Sequence, residues 1–214
     1  LIPDTKAFND DIISIEKNLS LNHWVTLGIK PTKAPESYGY IKVDTNKNGK
    51  FSRVINFTEK PTTKKAEKFI LDKNYYWNSG IFIANKIMVI KSIKEYAPEI
   101  AKYCDKAFST IEFSHENNEF NFSSELFSKI PSQSIDYAVM ENETNINLYP
   151  FINKWSDVGS WDAISDIYKD EPNNEKIVQI ESYDNFIRSE KRTIATIGVN
   201  DLIIIDSDNA TLIA

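Results

Sequence analysis

The sequence predicts an α/β protein in which helices alternate with the strands of a mixed sheet, followed by a short all-β extension. Three observations support this prediction. Through residue 170, segments with helically spaced apolar residues alternate with short β-branched runs. Beyond residue 175, strand patterns follow one another with turn residues between them and no helical pattern. The 214 residues are 41% apolar and 12% aromatic, which is enough to bury a full core.

The charge balance and the cysteine content argue against several classes of function. Acidic residues outnumber basic residues by 31 to 25, which gives a formal net charge of −6 and a pI near 5.1. We expect no nucleic-acid partner, because a polynucleotide backbone requires a basic footprint. Cys104 is the single cysteine, so a reducing, cytoplasmic location fits best. We also expect no membrane partner, because no apolar run approaches the roughly 18 residues of a membrane span.

The first forty residues predict a helix, a strand and a loop. Apolar residues recur at helical spacing over residues 5–19, and residues 23–29 are rich in β-branched and aromatic side chains. Two prolines in residues 31–37 prevent the strand from continuing. Gly39 follows this loop, and its missing side chain would let the backbone approach a ligand closely.

A hairpin is predicted next, and it ends at two charged residues. Residues 41–44 and 51–57 read as strands around residues 46–49, where an Asn-Gly pair is typical of a tight turn. The second strand leads directly into Glu59 and Lys60. One acceptor and one cation are therefore expected at the carboxyl edge of a strand, where open α/β sheets bind ligands.

The middle of the chain predicts mostly helices. The segment from Tyr76 through Gly80 is interpreted as an aromatic-Asn-Ser-Gly turn that brings the chain back beside Glu59. We expect this turn and the Glu59-Lys60 pair to form one wall of a pocket for a phosphorylated sugar. The other predicted elements are a helix from 62 or 63 to 71, a buried strand at 80–84, helices at 86–95 and 98–108, and a polar loop at 109–124.

The last part of the chain changes from helix to strand patterns. Residues 131–140 predict a helix with a serine cap and Asp136 in its first turn, where the helix dipole favours a negative charge. A strand at 145–150, a turn at 154–161, a helix at 162–168 and a linker at 171–175 follow. The strands predicted beyond the linker are 177–180, 185–189, 193–199, 202–206 and 210–214.

Five stretches of the sequence are together similar to one enzyme family. They are residues 27–32 with 38–41, 59–61, 77–80, 134–141 and 155–161. In this order they resemble the mannose-1-phosphate guanylyltransferases, also called GDP-mannose pyrophosphorylases. Residues 197–208 resemble the stretch that follows the transferase domain of that family. Each piece is weak by itself, but the combination spans nearly the whole chain.

The resemblance implies a fold and a domain arrangement. It implies part of the Rossmann-like mixed sheet of nucleotide-diphospho-sugar transferases, with residues 1–170 as the sugar-phosphate half of that domain, 171–175 as a linker and 176–214 as the start of a carboxyl-terminal β region. The glycine-rich loop that holds the nucleotide triphosphate in the family is not found in this sequence, and neither is the acidic residue expected upstream of Leu1. We therefore expect a carboxyl-terminal part of a transferase domain that is inactive by itself.

The resemblance also implies a reaction and a set of site residues. A phosphate oxygen of mannose 1-phosphate would attack the α-phosphorus of GTP, forming GDP-mannose and releasing pyrophosphate. Lys60 and Asp157 are the implied catalytic residues, since Lys60 resembles the lysine that meets the sugar phosphate and Asp157 the aspartate that binds Mg²⁺. The implied substrate-binding residues are Tyr38, Gly39, Glu59, Lys60, Asn78 and Ser79. GTP would bind mainly through the missing amino-terminal part, and a homo-oligomer or a complementing amino-terminal chain is left open as a partner.

Each implied site residue also has a plain structural explanation. Lys60 is also explained as a solvated surface lysine, with Glu59 as its ion-pair partner. Asp157 would serve equally as the cap of a helix beginning near residue 160, and Asn78 as part of an Asx turn. We expect Asp136 to belong to a helix terminus rather than to the pocket. For the whole chain, the alternative is a non-catalytic module that binds a sugar phosphate or serves assembly.

Overall fold

The computed structural model describes residues 1–48, 50–114, 118–159, 161–168, 176–189 and 191–214. These residues separate into two compact units, which we describe one at a time: the first is Ile2–Lys154, and the second is Trp155–Ala214 together with Leu1. The predicted linker at 171–175 and the glycine at position 49 of the predicted hairpin lie outside the described residues. The domain boundaries expected at 170 and 176 remain predictions.

Helices and strands alternate through the first unit, as the sequence predicted. Its helices are α1 (Thr5–Asn18), α2 (Thr63–Leu71), α3 (Lys86–Tyr96), α4 (Pro98–Phe108) and α5 (Ser124–Phe127), with a π-helical turn at Asp136–Met140. Its strands are β1 (Trp24–Ile29), β2 (Tyr40–Asn48), β3 (Phe51–Thr58), β4 (Tyr75–Ile83), β5 (Glu112–Ser114), β6 (Glu119–Asn121) and β7 (Ile146–Phe151).

The main sheet of the first unit is mixed and closes on itself. Its strand order is β1-β4-β2-β3-β7, and β7 returns to β1. Strands β1 and β7 run parallel, whereas the other paired strands of this sheet run antiparallel. The predicted mixed α/β fold is therefore confirmed. The finer expectation of a Rossmann-like arrangement remains a prediction.

Strand β1 lies at the centre of the core. It is buried along nearly its whole length, as expected for a strand that pairs on both edges and carries a continuous apolar run. Its Gly28 packs so closely on Leu148 of β7 that a Cβ at position 28 would overlap the leucine side chain. Core side chains from the sheet, α3 and the π-helical turn form one cluster that includes Trp24, Met88 and Met140.

A buried polar network joins this core to the segment after the π-helical turn. The Trp24 indole donates to Ser92 Oγ at 3.0 Å, and Ser92 Oγ donates to Glu143 Oε2 at 2.5 Å. The second oxygen of Glu143 accepts from the backbone and side chain of Asn145 at 2.9 and 3.2 Å. Both carboxylate oxygens are thus hydrogen-bonded, which is the condition for burying a charge at tolerable cost.

The prediction of a turn at Tyr76 through Gly80 is wrong. These residues lie inside β4, which begins at Tyr75 and pairs with both β1 and β2. The turn residues are accommodated by an irregularity in the register with β1, between Thr26 and Gly28. Gly80 takes a φ of +73° there, a conformation that favours glycine. The strand predicted at 80–84 is part of β4, and it is half-exposed rather than buried.

Two other local predictions also fail. The segment predicted as a serine-capped helix is a π-helical turn whose preceding residue, Ile135, offers no side-chain cap. Its hydrogen bond from the Glu141 N–H to the Asp136 carbonyl, at 3.0 Å, spans five residues. The polar loop expected at 109–124 contains the short antiparallel pair of β5 and β6, supported by the ring contact of Phe113 with Phe120.

The second unit is rich in short strands, as predicted for the extension. It contains α6 (Trp161–Tyr168), β8 (Ile177–Ile180), β9 (Phe186–Ser189), β10 (Ile194–Ile197), β11 (Ile203–Asp206) and β12 (Thr211–Ile213). Strand β8 pairs in parallel with β10, and β9 with β11, each with partners 17 residues apart in sequence, such as 177 with 194 and 186 with 203. This constant offset indicates successive turns of a parallel coil.

A network of side-chain contacts around Asp206 links strands β9, β11 and β12. Buried Asp206 accepts hydrogen bonds from Thr211 at 2.7 Å and Ser189 at 3.1 Å, and its carboxylate lies 3.3 Å from Arg192 Nε. The Thr211 hydroxyl, followed by Ser189 and Arg192, lowers the pKa of Asp206 below its ordinary value. Across the described residues, none of the helices is both long and apolar enough to cross a membrane.

Candidate functional site

The Glu59-Lys60 pair follows the last residue of β3 in a strained turn. Lys60 has a φ of +45°, which is uncommon for a residue with a side chain and is typically maintained by surrounding structure. The Lys60 side chain is 58% exposed, so its ammonium can reach a ligand in solvent. The sequence therefore placed this cation correctly at the carboxyl end of a strand.

Glu59 is not the solvated surface residue that a simple ion pair with Lys60 would require. Its side chain is only 9% exposed, and its Oε1 lies 3.5 Å from Lys60 Nζ. Its buried Oε2 has no hydrogen-bond partner in the described part of the chain. Burial is the main cause that raises the pKa of Glu59, and nearby Asp136 adds to it, while Lys60 acts in the opposite direction. A buried carboxyl oxygen without a partner is suited to accept a ligand hydroxyl.

Gly39 leaves the space that the Glu59 carboxyl group occupies. A Cβ at position 39 would overlap Glu59 Oε2 and would lie 3.0 Å from the Cβ of Asn78. Gly39 is itself buried, and its carbonyl oxygen accepts from the Asn78 backbone N–H at 2.8 Å. The group observed against this glycine belongs to the protein, and the close approach of a ligand to Gly39 remains a prediction.

Asn78 has both a structural and a site-facing contact. Its side-chain oxygen accepts from the Gly80 N–H at 3.0 Å, which is the Asx turn that the plain explanation proposed. Its side-chain nitrogen donates to Asp136 Oδ1 at 3.0 Å. Because both ends of the amide are engaged, its orientation is fixed, with the NH₂ group directed toward the carboxylates.

Two acidic residues, the first residue of the π-helical turn and the residue that follows it, were not predicted to belong to this cluster. Asp136 begins the π-helical turn, as expected for a residue of a helix terminus, but it also contacts Asn78, and its charge acts on Glu59. Glu141 Oε1 accepts from the Glu59 backbone N–H at 2.9 Å. The resemblance had marked this stretch, but helical periodicity gave no indication that its carboxylates would face β3 and β4.

Tyr38 and Ser79 flank the same cluster. The Tyr38 ring packs edge-to-face on the buried Trp77, with centroids 5.1 Å apart, so it contributes an aromatic wall. Ser79 Oγ accepts from the Ile81 N–H at 3.2 Å, a local bond that holds the irregular part of β4. The structure thus brings together four of the predicted residues in the first unit, namely Gly39, Glu59, Lys60 and Asn78, and Tyr38 and Ser79 adjoin them in sequence.

Asp157 belongs to the second unit, where it occupies a tight turn. The residue is exposed, its Oδ1 lies 3.4 Å from the Gly159 N–H, and Val158 has a φ of +57°. Residue 160, where the capped helix was expected to begin, lies outside the described residues, and α6 begins at Trp161. Among the residues that the structure describes, no group of three or more His, Cys, Asp or Glu side chains has the arrangement of a metal site.

The first-unit cluster combines groups suited to a polyhydroxylated anion. Lys60 supplies an exposed positive charge, and Glu59 supplies a buried acceptor. Asn78 adds an oriented amide, and Gly39 leaves the space beside the Glu59 carboxyl group free of a side chain. A phosphate would pair with the ammonium, and sugar hydroxyls would pair with the carboxyl and amide groups. The arrangement is therefore consistent with binding and positioning of a sugar phosphate.

Comparison with known proteins gives two family matches and several relatives. The nucleotidyl transferase family model matches residues 8–174, and that of the MannoseP isomerase/GMP-like beta-helix domain matches residues 175–214. A mannose-1-phosphate guanylyltransferase of Salmonella muenchen is 37% identical over 222 residues, covering 100% of this chain and 46% of that protein. One of Escherichia coli K12 is 30% identical, with the same two coverages. The chain thus spans about half the length of the curated relatives it matches.

Two solved structures are similar in fold. One, described as mannose-1-phosphate geranyltransferase from Thermus thermophilus, has a TM-score of 0.85 and 23% identity, covering 100% of this chain and 62% of that one. The other, described as mannose-6-phosphate isomerase from Helicobacter pylori, has a TM-score of 0.66 and 28% identity, covering 73% and 61%. At 23% identity, the first likeness concerns the fold alone.

Proposed function

The chain belongs to the nucleotidyl transferase family, and from this premise we propose that it supplies the sugar-phosphate half of a mannose-1-phosphate guanylyltransferase site. In the proposed reaction, a phosphate oxygen of mannose 1-phosphate attacks the α-phosphorus of GTP. The bond from that phosphorus to the oxygen bridging it to the β-phosphorus breaks, and pyrophosphate leaves as GDP-mannose forms. The similarity to mannose-1-phosphate guanylyltransferases over the whole chain supports this choice of sugar and nucleotide.

One observation carries the proposal: the exposed Lys60 ammonium lies 3.5 Å from a buried carboxyl group, one oxygen of which has no partner among the residues that the structure describes. Lys60 would neutralise the sugar phosphate and hold its attacking oxygen in place. Glu59 and Asn78 would fix the sugar ring through its hydroxyl groups. Nucleotidyl transfer depends mainly on such positioning and charge neutralisation, so these residues would act without forming a covalent intermediate.

Magnesium belongs to the proposal, with Asp157 as the protein ligand of this chain. A carboxylate is the type of ligand that Mg²⁺ prefers, and Mg²⁺ commonly takes one or two carboxylates together with substrate phosphates. The described residues contribute one exposed carboxylate here rather than a preformed cage. The metal would supply charge neutralisation on the phosphates when bound, and the role of Asp157 would be to hold it.

The other expectations remain predictions of the same proposal. They are that this chain is inactive alone, that GTP binds mainly through the missing amino-terminal part, that the protein is cytoplasmic, and that its partner is either a second copy of the chain or a complementing amino-terminal chain. The alternative function is a non-catalytic module that binds a sugar phosphate. It shares the first-unit cluster with the enzyme and differs from it in lacking transfer activity.

A complementation assay tests the proposed function. This chain is mixed with a separately expressed amino-terminal segment of a mannose-1-phosphate guanylyltransferase, and GDP-mannose and pyrophosphate are measured from mannose 1-phosphate, GTP and Mg²⁺. The expected result is transfer by the mixture and none by either piece alone. Binding of mannose 1-phosphate without transfer in the mixture would favour the binding module. The absence of both binding and transfer would overturn the proposal.

A further inference from the structure

The segment formed by the π-helical turn at Asp136–Met140 and the next residue, Glu141, contacts two of the candidate sugar-binding residues at once. Asp136 Oδ1 accepts from Asn78 Nδ2 on β4 at 3.0 Å. Glu141 Oε1 accepts from the backbone N–H of Glu59, after β3, at 2.9 Å. One short segment therefore hydrogen-bonds both segments that make up the cluster, although the three are far apart in sequence.

The unusual helix type explains why both carboxylates face the cluster. In an α-helix, residues five apart are separated by about 140° around the axis, so they point to different sides. In this turn, Glu141 N–H bonds the Asp136 carbonyl at 3.0 Å, so these two residues lie one turn apart on the same side. Of the four residues between them, Ala138, Val139 and Met140 are buried in the core and anchor the turn, whereas Tyr137 is exposed.

Each contact restricts a feature that sugar binding would need. The bond that the Glu59 N–H donates to Glu141 holds the backbone entering the Lys60 turn, where φ is +45°. The bond that the Asn78 amide donates to Asp136 complements the Asx turn and fixes which end of that amide faces the cluster. A second observation indicates that a ligand completes this arrangement: the 9% exposed Glu59 side chain keeps its buried Oε2 unpartnered among the described residues.

We propose that the π-helical turn is a positioning element of the candidate site, in which Glu141 holds the Glu59-Lys60 backbone and Asp136 orients the Asn78 amide. The inference rests on the proposed function, since it identifies what sets the geometry of the same sugar-phosphate site. Asp136 and Glu141 act through other residues and need not touch the substrate. Their essential property is an acceptor oxygen at a fixed place rather than a negative charge.

Paired substitutions separate these two properties. Glu141→Gln and Asp136→Asn keep an acceptor oxygen and remove the charge, whereas Glu141→Ala and Asp136→Ala remove both. Glu125→Ala is the matched control, because it removes an exposed negative charge that pairs with Lys129 away from this cluster. Binding of mannose 1-phosphate to the full chain is measured by calorimetry, and thermal unfolding checks that each variant folds.

The expected result is a loss of affinity of about tenfold in each alanine variant, and less than about threefold in the Gln, Asn and control variants. Equal affinity in the alanine variants and the wild type would overturn the inference. So would equal losses in the alanine and amide variants, because charge rather than position would then be the essential property.

Hydrogen exchange at the Glu59 amide gives a second readout that does not need the sugar. Slow exchange is expected in the wild type and Glu141→Gln, and faster exchange in Glu141→Ala, with unchanged exchange in β1 as the reference. If the wild type does not bind mannose 1-phosphate but the Glu59 amide shows this pattern, the proposed function fails and the positioning contact stands. Equal exchange at Glu59 in all variants would overturn the positioning contact itself.

Discussion

The carboxyl group of Glu59 lies against Gly39, in the space that a Cβ would take if any other residue stood at position 39. Position 39 requires glycine because there is no room for a side chain. The backbone conformation does not require it, since the φ of Gly39 is not positive. The contact joins the start of β2 to the turn after β3. It also places Gly39 beside the buried Glu59 oxygen, which has no partner among the described residues.

Gly39→Ala is therefore expected to displace Glu59 and to abolish measurable binding of mannose 1-phosphate, with a moderate loss of stability. The matched control is Gly198→Ala, in the second unit. A Cβ at Gly198 meets nothing within 4 Å, but its φ of +67° makes the substitution strained. Calorimetric titration and thermal unfolding should show similar destabilisation in both variants, with loss of binding only in Gly39→Ala. Retained binding in Gly39→Ala would contradict the assignment of Glu59.

The stability of the protein should depend on pH through Glu59. Burial, with a contribution from Asp136, raises the pKa of Glu59 above its ordinary value of 4.5. The stabilisation associated with this group is therefore complete below pH 4.5 and is lost as the pH rises through the higher pKa of the folded state. We expect the free energy of unfolding of Glu59→Gln, relative to the wild type, to increase from about pH 4 to about pH 7.

Glu125→Gln is the control for this pH dependence, because the pKa of Glu125 is shifted in the opposite direction to that of Glu59. The hydrogen bond from Lys129 lowers the pKa of Glu125, so its contribution is present above its ordinary pKa and is lost as the pH falls. Denaturant titrations at several pH values provide the free energies. A curve for Glu59→Gln that runs parallel to the wild type would mean that the folded environment does not perturb this carboxyl group.

In a complete enzyme, alanine substitution of Lys60 should slow the reaction far more than alanine substitution of Lys30. We expect Lys60→Ala to slow nucleotidyl transfer by about a hundredfold, because it removes the cation proposed to meet the sugar phosphate. Lys30 instead donates to the Lys73 carbonyl oxygen and lies 3.9 Å from the centroid of the Tyr76 ring. Lys30→Ala should change stability more than turnover. Small and equal effects of both substitutions on kcat/KM would reject the role of Lys60.

The buried network around Ser92 gives a prediction about the fold. Ser92→Ala removes the acceptor of the Trp24 indole and one donor to the Glu143 carboxylate. It should lower the free energy of unfolding by about 1–3 kcal/mol, the cost of leaving buried polar groups unpaired. Ser132→Ala, at an exposed position, is the control and should be nearly neutral. Equal stability of the two variants in urea would show that the network contributes little.

The sequence predicted those features that depend on local periodicity. Helices α1 to α4 and the strand-rich second unit follow the spacing of their apolar residues. The position of Lys60 after a strand also followed from local pattern, because Pro61 ends the apolar run of β3. The turn predicted at Tyr76 through Gly80 was wrong, because these residues lie within β4, where pairing with β1 and β2 outweighs the local turn preference. The Asx hydrogen bond offered as the structural explanation of Asn78 does exist.

The remaining site features arise from packing between distant segments, which a single sequence does not encode locally. The burial of Glu59 follows from its contact with Gly39 and could not be inferred from an exposed-looking Glu-Lys pair. Asp136 and Glu141 were missed because a period of 3.6 residues places them on different faces, whereas the π-helical turn aligns them. The catalytic roles implied for Lys60 and Asp157 remain predictions.

The most direct test of the account is a calorimetric titration of mannose 1-phosphate into this chain, beside titrations of mannose and of inorganic phosphate. The sugar-phosphate cluster predicts saturable binding of mannose 1-phosphate that is at least about tenfold tighter than either part alone and that is lost in Lys60→Ala. Absence of binding by the folded wild type, or equal binding by the wild type and Lys60→Ala, would contradict it.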